Sequence, residues 1–307
     1  MAIDNEYELF GVQIAGSTLF SQLTNGGVSP EIEMLVASGA SALEPQFFGE
    51  VQAAPLVTFN TTQLATLLGL TGSNAWYGIS GNIDLLFRRV VAQGSRYAPN
   101  SNNHLRFRGT AGLLSWQTIT APLRGPAVAD VSIALVSDGV NPILAAAGGV
   151  GMGAIVPSAA EQYVMGPVNV GGSPVPGLVE WQFSSGVRVF RDSDSGVVYP
   201  TFSAVEGKSF NPKFMGRAMT AALWTTYGVD LASVTGCAAY LRKLATTGPV
   251  ADVSTVHIKI SQAHEVALKP LGKQGGSERA RTAFELYFGD STGAAAPITV
   301  STASAIT

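Results

Sequence analysis

Along much of the chain, apolar and polar residues alternate with the period of two that marks a half-buried strand. Val179-Glu180-Trp181-Gln182-Phe183 alternates, Ser184-Ser185-Gly186 supplies turn chemistry, and Val187-Arg188-Val189-Phe190 resumes, a pattern that predicts a hairpin. Asp192-Ser193-Asp194-Ser195-Gly196 predicts a second turn before a strand at Val197-Val198-Tyr199. Further strands are predicted over 105–108, 131–135, 256–260 and 283–288, with Ser137-Asp138-Gly139 and Gly289-Asp290-Ser291-Thr292-Gly293 as closing turns. Two segments break the alternation and predict helices. One covers 61–68, after Pro55 and before Gly69 and Gly72, with Thr61 as its N-cap and Leu64, Leu67 and Leu68 on one face. The other covers 214–227, between Pro212 and Gly228, with Met215, Met219 and Ala222 on one face. Around Arg88-Arg89 and Arg242-Lys243 the pattern fits strand or helix equally.

These elements come in two sets. Val12-Gln13-Ile14-Ala15-Gly16-Ser17 overlays Val168-Asn169-Val170-Gly171-Gly172-Ser173 at a shift of 156 positions. With a drift of a few residues, Pro45 then meets Pro200, Pro55 meets Pro212, Gly72 meets Gly228, and Gly81 meets Gly236. Phe87-Arg88-Arg89 meets Leu241-Arg242-Lys243, His104-Leu105-Arg106-Phe107 meets His257-Ile258-Lys259-Ile260, and Pro142-Ile143 meets Pro297-Ile298. A period near half the chain length means one domain in tandem, not a solenoid of short repeats. The expected organisation is a first β domain over 1–145, a Gly/Ala-rich linker over 146–166 and a second β domain over 167–307. Each is mostly β, with one helix against a sandwich or small barrel.

Composition adds a statement about assembly. Only 13% of the 307 residues are charged, 35 are glycine and mean hydropathy is +0.26, against about 25% charge in an ordinary soluble domain. A surface so poor in charge is expected to be covered by copies of itself. The net charge of −3 leaves no basic footprint for wrapping nucleic acid. The single cysteine, Cys237, excludes an intrachain disulfide framework and fits assembly in the cytosol. Met1-Ala2-Ile3-Asp4-Asn5-Glu6 is polar and acidic, unlike a signal peptide. The uncharged stretch 139–160 carries Pro142, Pro157 and five glycines, which argues for a linker over a membrane span.

A search for catalytic chemistry returns little. His104 and His257 are equivalent in the repeat and lie in strand patterns, so packing or an interface explains them better than a ligand role. His264-Glu265 opens like a zinc-protease motif, but position 268 is Leu. Gly149-Val150-Gly151-Met152-Gly153 and Gly272-Lys273-Gln274-Gly275-Gly276 lack the spacing of nucleotide-binding loops, and no nucleophile elbow occurs. Cys237 reads as a small buried residue. Asp192 and Asp194 offer carboxylates in a turn, but the counterpart Ser38-Gly39-Ala40-Ser41 has none. The expectation is a non-enzyme with no catalytic, cofactor-binding or metal-binding residue. Two basic groups remain. Arg88, Arg89, Arg96, Arg106 and Arg108 form one, and Lys269, Lys273, Arg279 and Arg281 the other. They are either solvated or paired with Glu31, Glu33, Glu44 and Glu50 of a neighbouring subunit.

A tandem pair of Gly/Ala/Thr-rich, charge-poor β domains resembles bacteriophage virion proteins. Within that class it is most similar to major tail tube proteins of long-tailed phages, in the variant with two fused tube domains. The segments Pro55–Leu68, Val170–Leu178, Ala283–Phe288 and Ala296–Val300 carry the likeness. The resemblance implies two tandem homologous β-sandwich domains and a pseudo-hexameric ring made from a trimer. Such rings stack into a passive conduit for phage DNA, which passes without specific binding. It also implies contacts with other phage tail proteins, a virion tail location after assembly in the host cytoplasm, and no stable membrane insertion. The alternative is a double jelly-roll major capsid protein forming pseudo-hexameric trimers. It needs eight strands per roll, where the pattern shows about six per copy. A surface carbohydrate-binding β protein would want a clustered aromatic site, which the scattered Trp76, Trp116, Trp181 and Trp224 do not supply.

Overall fold

A computed structural model of the chain describes residues 6–37, 47–90, 95–98, 100–139, 143–152, 161–193, 197–216, 232–274, 281–288 and 298–307. These are mostly β, in antiparallel sheets. The described residues of the first half form ten strands: β1 (Tyr7–Ile14), β2 (Thr18–Phe20), β3 (Leu23–Ser29), β4 (Ile32–Ala37), β5 (Phe47–Ala53), β6 (Leu56–Thr61), β7 (Trp76–Arg89), β8 (His104–Pro122), β9 (Val128–Val136) and β10 (Leu144–Val150). Between β6 and β7 lie helix α1 (Leu64–Thr71) and a 3₁₀ turn (Gly72–Asn74). The second half has β11 (Tyr163–Val170), β12 (Ser173–Pro174), β13 (Leu178–Ser184), β14 (Arg188–Asp192), β15 (Phe202–Gly207) and β16 (Asn211–Gly216). It continues with β17 (Ala232–Ala245), β18 (Gly248–Pro249), β19 (His257–Gln274), β20 (Arg281–Phe288) and β21 (Thr299–Ser304).

In the first half, β2–β1–β7–β8–β9–β6–β3 forms a continuous ladder, and β10 pairs the start of β8. The long β8 changes partners along its length, from β7 and β10 to β7 and β9, so both ends of the folded sheet share one core. Val12, Ile14, Ile83 and Leu85 meet Val57, Phe59, Leu114, Trp116, Val131 and Ile133 there, all almost fully buried. Helix α1 adds Leu64, Leu67 and Leu68.

The same pairing scheme recurs over the second half: β12–β11–β17–β19–β20–β16–β13, with β21 on the start of β19. It recurs in detail. Ladder breaks fall at matching places, Leu9/Gly11 with Met165/Val168 and Trp116/Thr118 with Pro270/Gly272. Both first hairpins turn through two residues of positive φ, Ala15 and Gly16 at 50° and 71°, Gly171 and Gly172 at 57° and 76°. That is the primed turn whose twist suits a hairpin. The β4–β5 ribbon corresponds to β14–β15, each an isolated two-stranded sheet. Because Ile14 faces Ile83 and Val170 faces Cys237, Gly236 matches Asn82, one place from Gly81. Because Val28 faces Val57 and Phe183 faces Pro212, Pro212 matches Val57 and not Pro55, whose counterpart is Phe210.

Several sequence expectations change. The predicted hairpin does not form: after Ser184-Ser185-Gly186 the chain leaves the sheet, β13 pairs β16 and β8, and β14 pairs β15. Gly186 has φ of +57°, and a Cβ there would strike the backbone of Ser209. Residues 197–199 are not a strand, and the partner strand runs over Phe202–Gly207. Thr61 ends β6, and the N-cap of α1 is Gln63, whose Oε1 accepts the N–H groups of Ser21 and Gln22 at 2.6 and 3.0 Å. Phe214, Met215 and Gly216 are strand residues with the alternating burial of β16, while 217–227 of that predicted helix lie outside the described residues. Arg88-Arg89 and Arg242-Lys243 are both strand. Within the stretch 146–166 read as linker, residues 146–150 belong to strand β10 and 163–166 to strand β11, and residues 153–160 lie outside the described residues. The count of six strands per copy is too low.

Candidate assembly interface

Among the described residues the two halves meet at an extensive non-local junction. The last part of β8 runs antiparallel to β13, with Thr118 opposite Ser184, Ile119 opposite Phe183, Thr120 opposite Gln182, Ala121 opposite Trp181 and Pro122 opposite Glu180. This pairing makes the sheets of the two halves continuous. Beneath it an aromatic triangle crosses the boundary. Trp116 stands 6.0 Å from Phe183 and 6.1 Å from Phe210, ring centre to ring centre, and Phe183 and Phe210 are 6.1 Å apart. All three are essentially without solvent contact, as is Trp181. Such rings bring large apolar area and preferred tilted geometry to one place. Ser185 secures the crossing, its Oγ donating to the Trp116 carbonyl at 2.6 Å and its N–H to that of Gln117 at 3.0 Å.

Two further contacts extend the junction. The β14–β15 ribbon lies against the first half. Arg191 donates to the carbonyls of Ala54 (2.5 Å) and Pro55 (3.3 Å) and pairs with Glu31 at 2.7 Å. The N–H groups of Ala53 and Ser137 donate to the carbonyls of Val198 and Pro200. On the other side, Thr66 of α1 donates through N–H and Oγ1 to Glu161, both at 3.3 Å, and the Val300 N–H of β21 donates to Ser73 Oγ.

Residues singled out by sequence fall into place around this frame. His104 and His257 are fully buried and make the same clasp twice. The Arg89 N–H donates to His104 Nδ1 at 3.2 Å and the Lys243 N–H to His257 Nδ1 at 3.1 Å. Nε2 of each reaches a loop carbonyl, Ala98 at 2.8 Å and Ala251 at 3.0 Å. An imidazole used at both nitrogens to tie a strand to a loop is a structural strut. His264 lies in β19. Cys237 is buried, and desolvation pushes its thiol up to about 12, so it stays protonated and unreactive at neutral pH. Asp192 accepts the Ser193 N–H at 2.8 Å, and Asp194 lies outside the described residues. Trp116 and Trp181 meet at the junction, Trp76 is half-buried, and Trp224 lies outside the described residues.

The first basic group is paired within its own half. Arg108 grips Asp84 through two bonds of 2.6 and 2.7 Å, and that hydrogen bonding raises its pKa, while Arg106 approaches the same carboxylate at 4.0 Å. Arg96 grips Glu8 at 2.6 and 3.0 Å, and that bond lowers the Glu8 pKa. Arg88 donates to the Tyr97 carbonyl at 2.7 Å and stacks over Phe10, and Arg89 stacks over Tyr97. Of the acids proposed as cross-subunit partners, Glu31 joins the two halves through Arg191, a residue absent from either basic group; Glu33 and Glu50 belong to the β4–β5 ribbon, and Glu44 lies outside the described residues. Of the second basic group, Lys269 and Lys273 lie in β19, Arg281 opens β20, and Arg279 lies outside the described residues.

Two open hollows sit at matching places. One, of about 410 Å³, is lined by Gln13, Gly16, Asn82, Asp84 and Arg108; the other, of about 320 Å³, by Asn169, Gly172, Gly236, Ala238 and Ser261. The first holds the ion pair. In the second, Thr307 enters, its carbonyl accepting from Asn169 and its hydroxyl bonding Tyr240. Cys237 and Lys259 also line the second, and the described residues hold no group of three or more potential metal ligands. Among the described residues no helix is long and apolar enough to cross a membrane. Comparison with known protein families found no matching family model, and comparison with curated proteins found no matching sequence.

Proposed function

We propose that this chain is a self-assembling structural subunit, a tandem duplication of one β domain that closes into rings. In its most specific form it is the major tail tube protein of a long-tailed phage. The supporting observation is the β8–β13 junction, which runs one sheet through both halves. A sheet extended by the same step from chain to chain becomes a continuous band around a channel, and closure removes the open edges that otherwise drive aggregation. Three chains would place six such units in a ring, and stacked rings would form the conduit for DNA. The matched registers and twin histidine clasps support the duplication. The low charge supports extensive self-contact.

The double jelly-roll capsid reading gains from the strand number, since the ten strands among the described residues of the first half meet the requirement of eight. The continuity of the sheet across the halves favours the tube. Negative-stain electron microscopy at rising protein concentration, with mass photometry, separates them. Stacked three-chain rings with a central hole are expected. Trimers tiling into sheets or shells without a through-channel would transfer the reading to the capsid, and a persistent monomer would end both.

A further inference from the structure

The internal junction uses one face of each half, and the duplication leaves one copy of each face without an internal partner. On the second half the used face consists of the outer edge of β13, the β14–β15 ribbon and β21. The matching face of the first half is the outer edge of β3, the β4–β5 ribbon and β10. Among the described residues β3 is laddered only to β6, and β10 only to β8. Where β13 buries Trp181 and Phe183, β3 presents Gly26 and a half-buried Val28 beside exposed Asn25 and Ser29. Where β14–β15 rests on the first half, β4–β5 holds Ile32, Met34, Leu35, Val36 and Val51 each more than half exposed. An apolar ribbon beside an unpaired edge is a pairing surface.

The complementary face is open too. On the first half it is the end of β8, which has β9 on one side and β13 on the other. Its counterpart, the end of β19, ladders to β20 through Gly272, Lys273 and Gln274, and its second edge has no strand among the described residues. Two faces already shown to fit within the chain therefore recur, unpaired, at its two extremes. A head-to-tail contact between copies satisfies both.

We infer that a second copy of this chain covers the open face of the first half, its β19 running antiparallel to β3 with Gly272 opposite Ser29, Lys273 opposite Val28 and Gln274 opposite Gly27. This register follows residue by residue from Thr118, Ile119 and Thr120 opposite Ser184, Phe183 and Gln182, carried across by the matched ladders of β3 with β6, β13 with β16, β8 with β9 and β19 with β20. The β4–β5 ribbon then lies over the second half of that copy. The contact is less aromatic than its internal model: Val28, Pro55 and Pro270 stand where Phe183, Phe210 and Trp116 form the triangle. The inference rests on the self-assembly reading but not on the identity of the particle.

The test is disulfide trapping under mild diamide oxidation, with denaturing gels read beside electron micrographs of the same samples. Val28→Cys with Lys273→Cys is the main pair, and Ser29→Cys with Gly272→Cys supplies the adjacent register position. The buried Cys237 stays in place. Either pair is expected to link most chains into a covalent ladder that stops at three, while each single variant and the off-register pair Thr24→Cys with Lys273→Cys give less than about a tenth as much. Assembled particles without cross-links from either pair would overturn the junction and leave the self-assembly reading standing. Equal linking by the off-register pair would overturn the register. Cross-linked closed rings that never stack would uphold the junction and remove the tube. A chain that stays monomeric at every concentration would overturn both.

Discussion

Strands β3 and β13 have the same backbone and opposite fates. Each ladders to its own partner through the same register and the same ladder break, β3 to β6 and β13 to β16. Yet β13 carries two fully buried aromatic residues and lies inside a sheet, whereas β3 carries glycines and a half-buried valine at an edge. The difference is one neighbour, the end of β8. Two halves of matching register joined at one internal junction have an unequal pair of edges: large rings stand where β8 covers the strand, and smaller residues where only β6 ladders to it among the described residues. The arms show the same divergence. Arg191 anchors one by polar bonds, and the equivalent position on the other, set by the matching ladder breaks, is the exposed Val36.

Experiments that break this asymmetry begin at the junction. Phe183→Ala opens a cavity in the aromatic triangle and is expected to cost about 3–5 kcal/mol in urea unfolding. Val28→Ala, its counterpart, should cost the unassembled chain less than about 1.5 kcal/mol; equal losses would deny that the two edges differ. His104→Ala and His257→Ala should each cost roughly 1–3 kcal/mol, because each strands a buried N–H and a loop carbonyl. The two values should agree closely, and a large disparity would show that the clasps are not equivalent struts.

The Asp84–Arg108 pair is private to the first half, Ala238 and Ser261 standing at the corresponding places. Asp84→Ala should cost about 1–2 kcal/mol, tempered by the solvent reaching Arg108, and adding Arg108→Ser should recover part of it in a double-mutant cycle. Alkaline pH probes the other side of the same comparison, for Cys237 stands where the first half has Ile83. Its thiol is raised from 9.0 to about 12 by burial, so it contributes stability that is full below pH 9 and lost as pH rises toward 12. Cys237→Ala should flatten the decline in unfolding free energy between pH 9 and 11; an unchanged slope would place the decline elsewhere. The smallest effect on the isolated chain comes from the exposed ribbon. Met34→Ser with Val36→Ser should alter its stability by no more than about 0.5 kcal/mol while raising the concentration at which mass photometry first detects assembly.

Much of the architecture was legible in the chain because strand periodicity is a local signal and the internal repeat is visible when the chain is laid on itself. The alternation in 179–183 and 131–135, the Leu64/Leu67/Leu68 face and the matched histidines all correspond to observed elements. Misreadings came where a neighbour overrides local pattern. Leu144–Val150 has no alternation to speak of, but β8 offers it an unpaired backbone edge. Ser184-Ser185-Gly186 has hairpin chemistry, yet β13 finds better partners in β16 and β8. Phe214 and Met215 fit a helical face and a strand equally, and Phe284 and Ala283 across the ladder decide for the strand. The junction itself was invisible, because Trp116, Phe183 and Phe210 are far apart along the chain and carry no motif.

Periodicity and turn chemistry, properties of near neighbours in the chain, together with a repeat read by laying the chain on itself, were enough to specify a mostly β molecule whose two halves follow one pattern. Which strands became interior, which stayed at an edge, and which charges were paired depended on contacts between residues distant in sequence. Burial is a property of the assembled neighbourhood, so two segments with one register acquired different roles only when β8 closed over one of them.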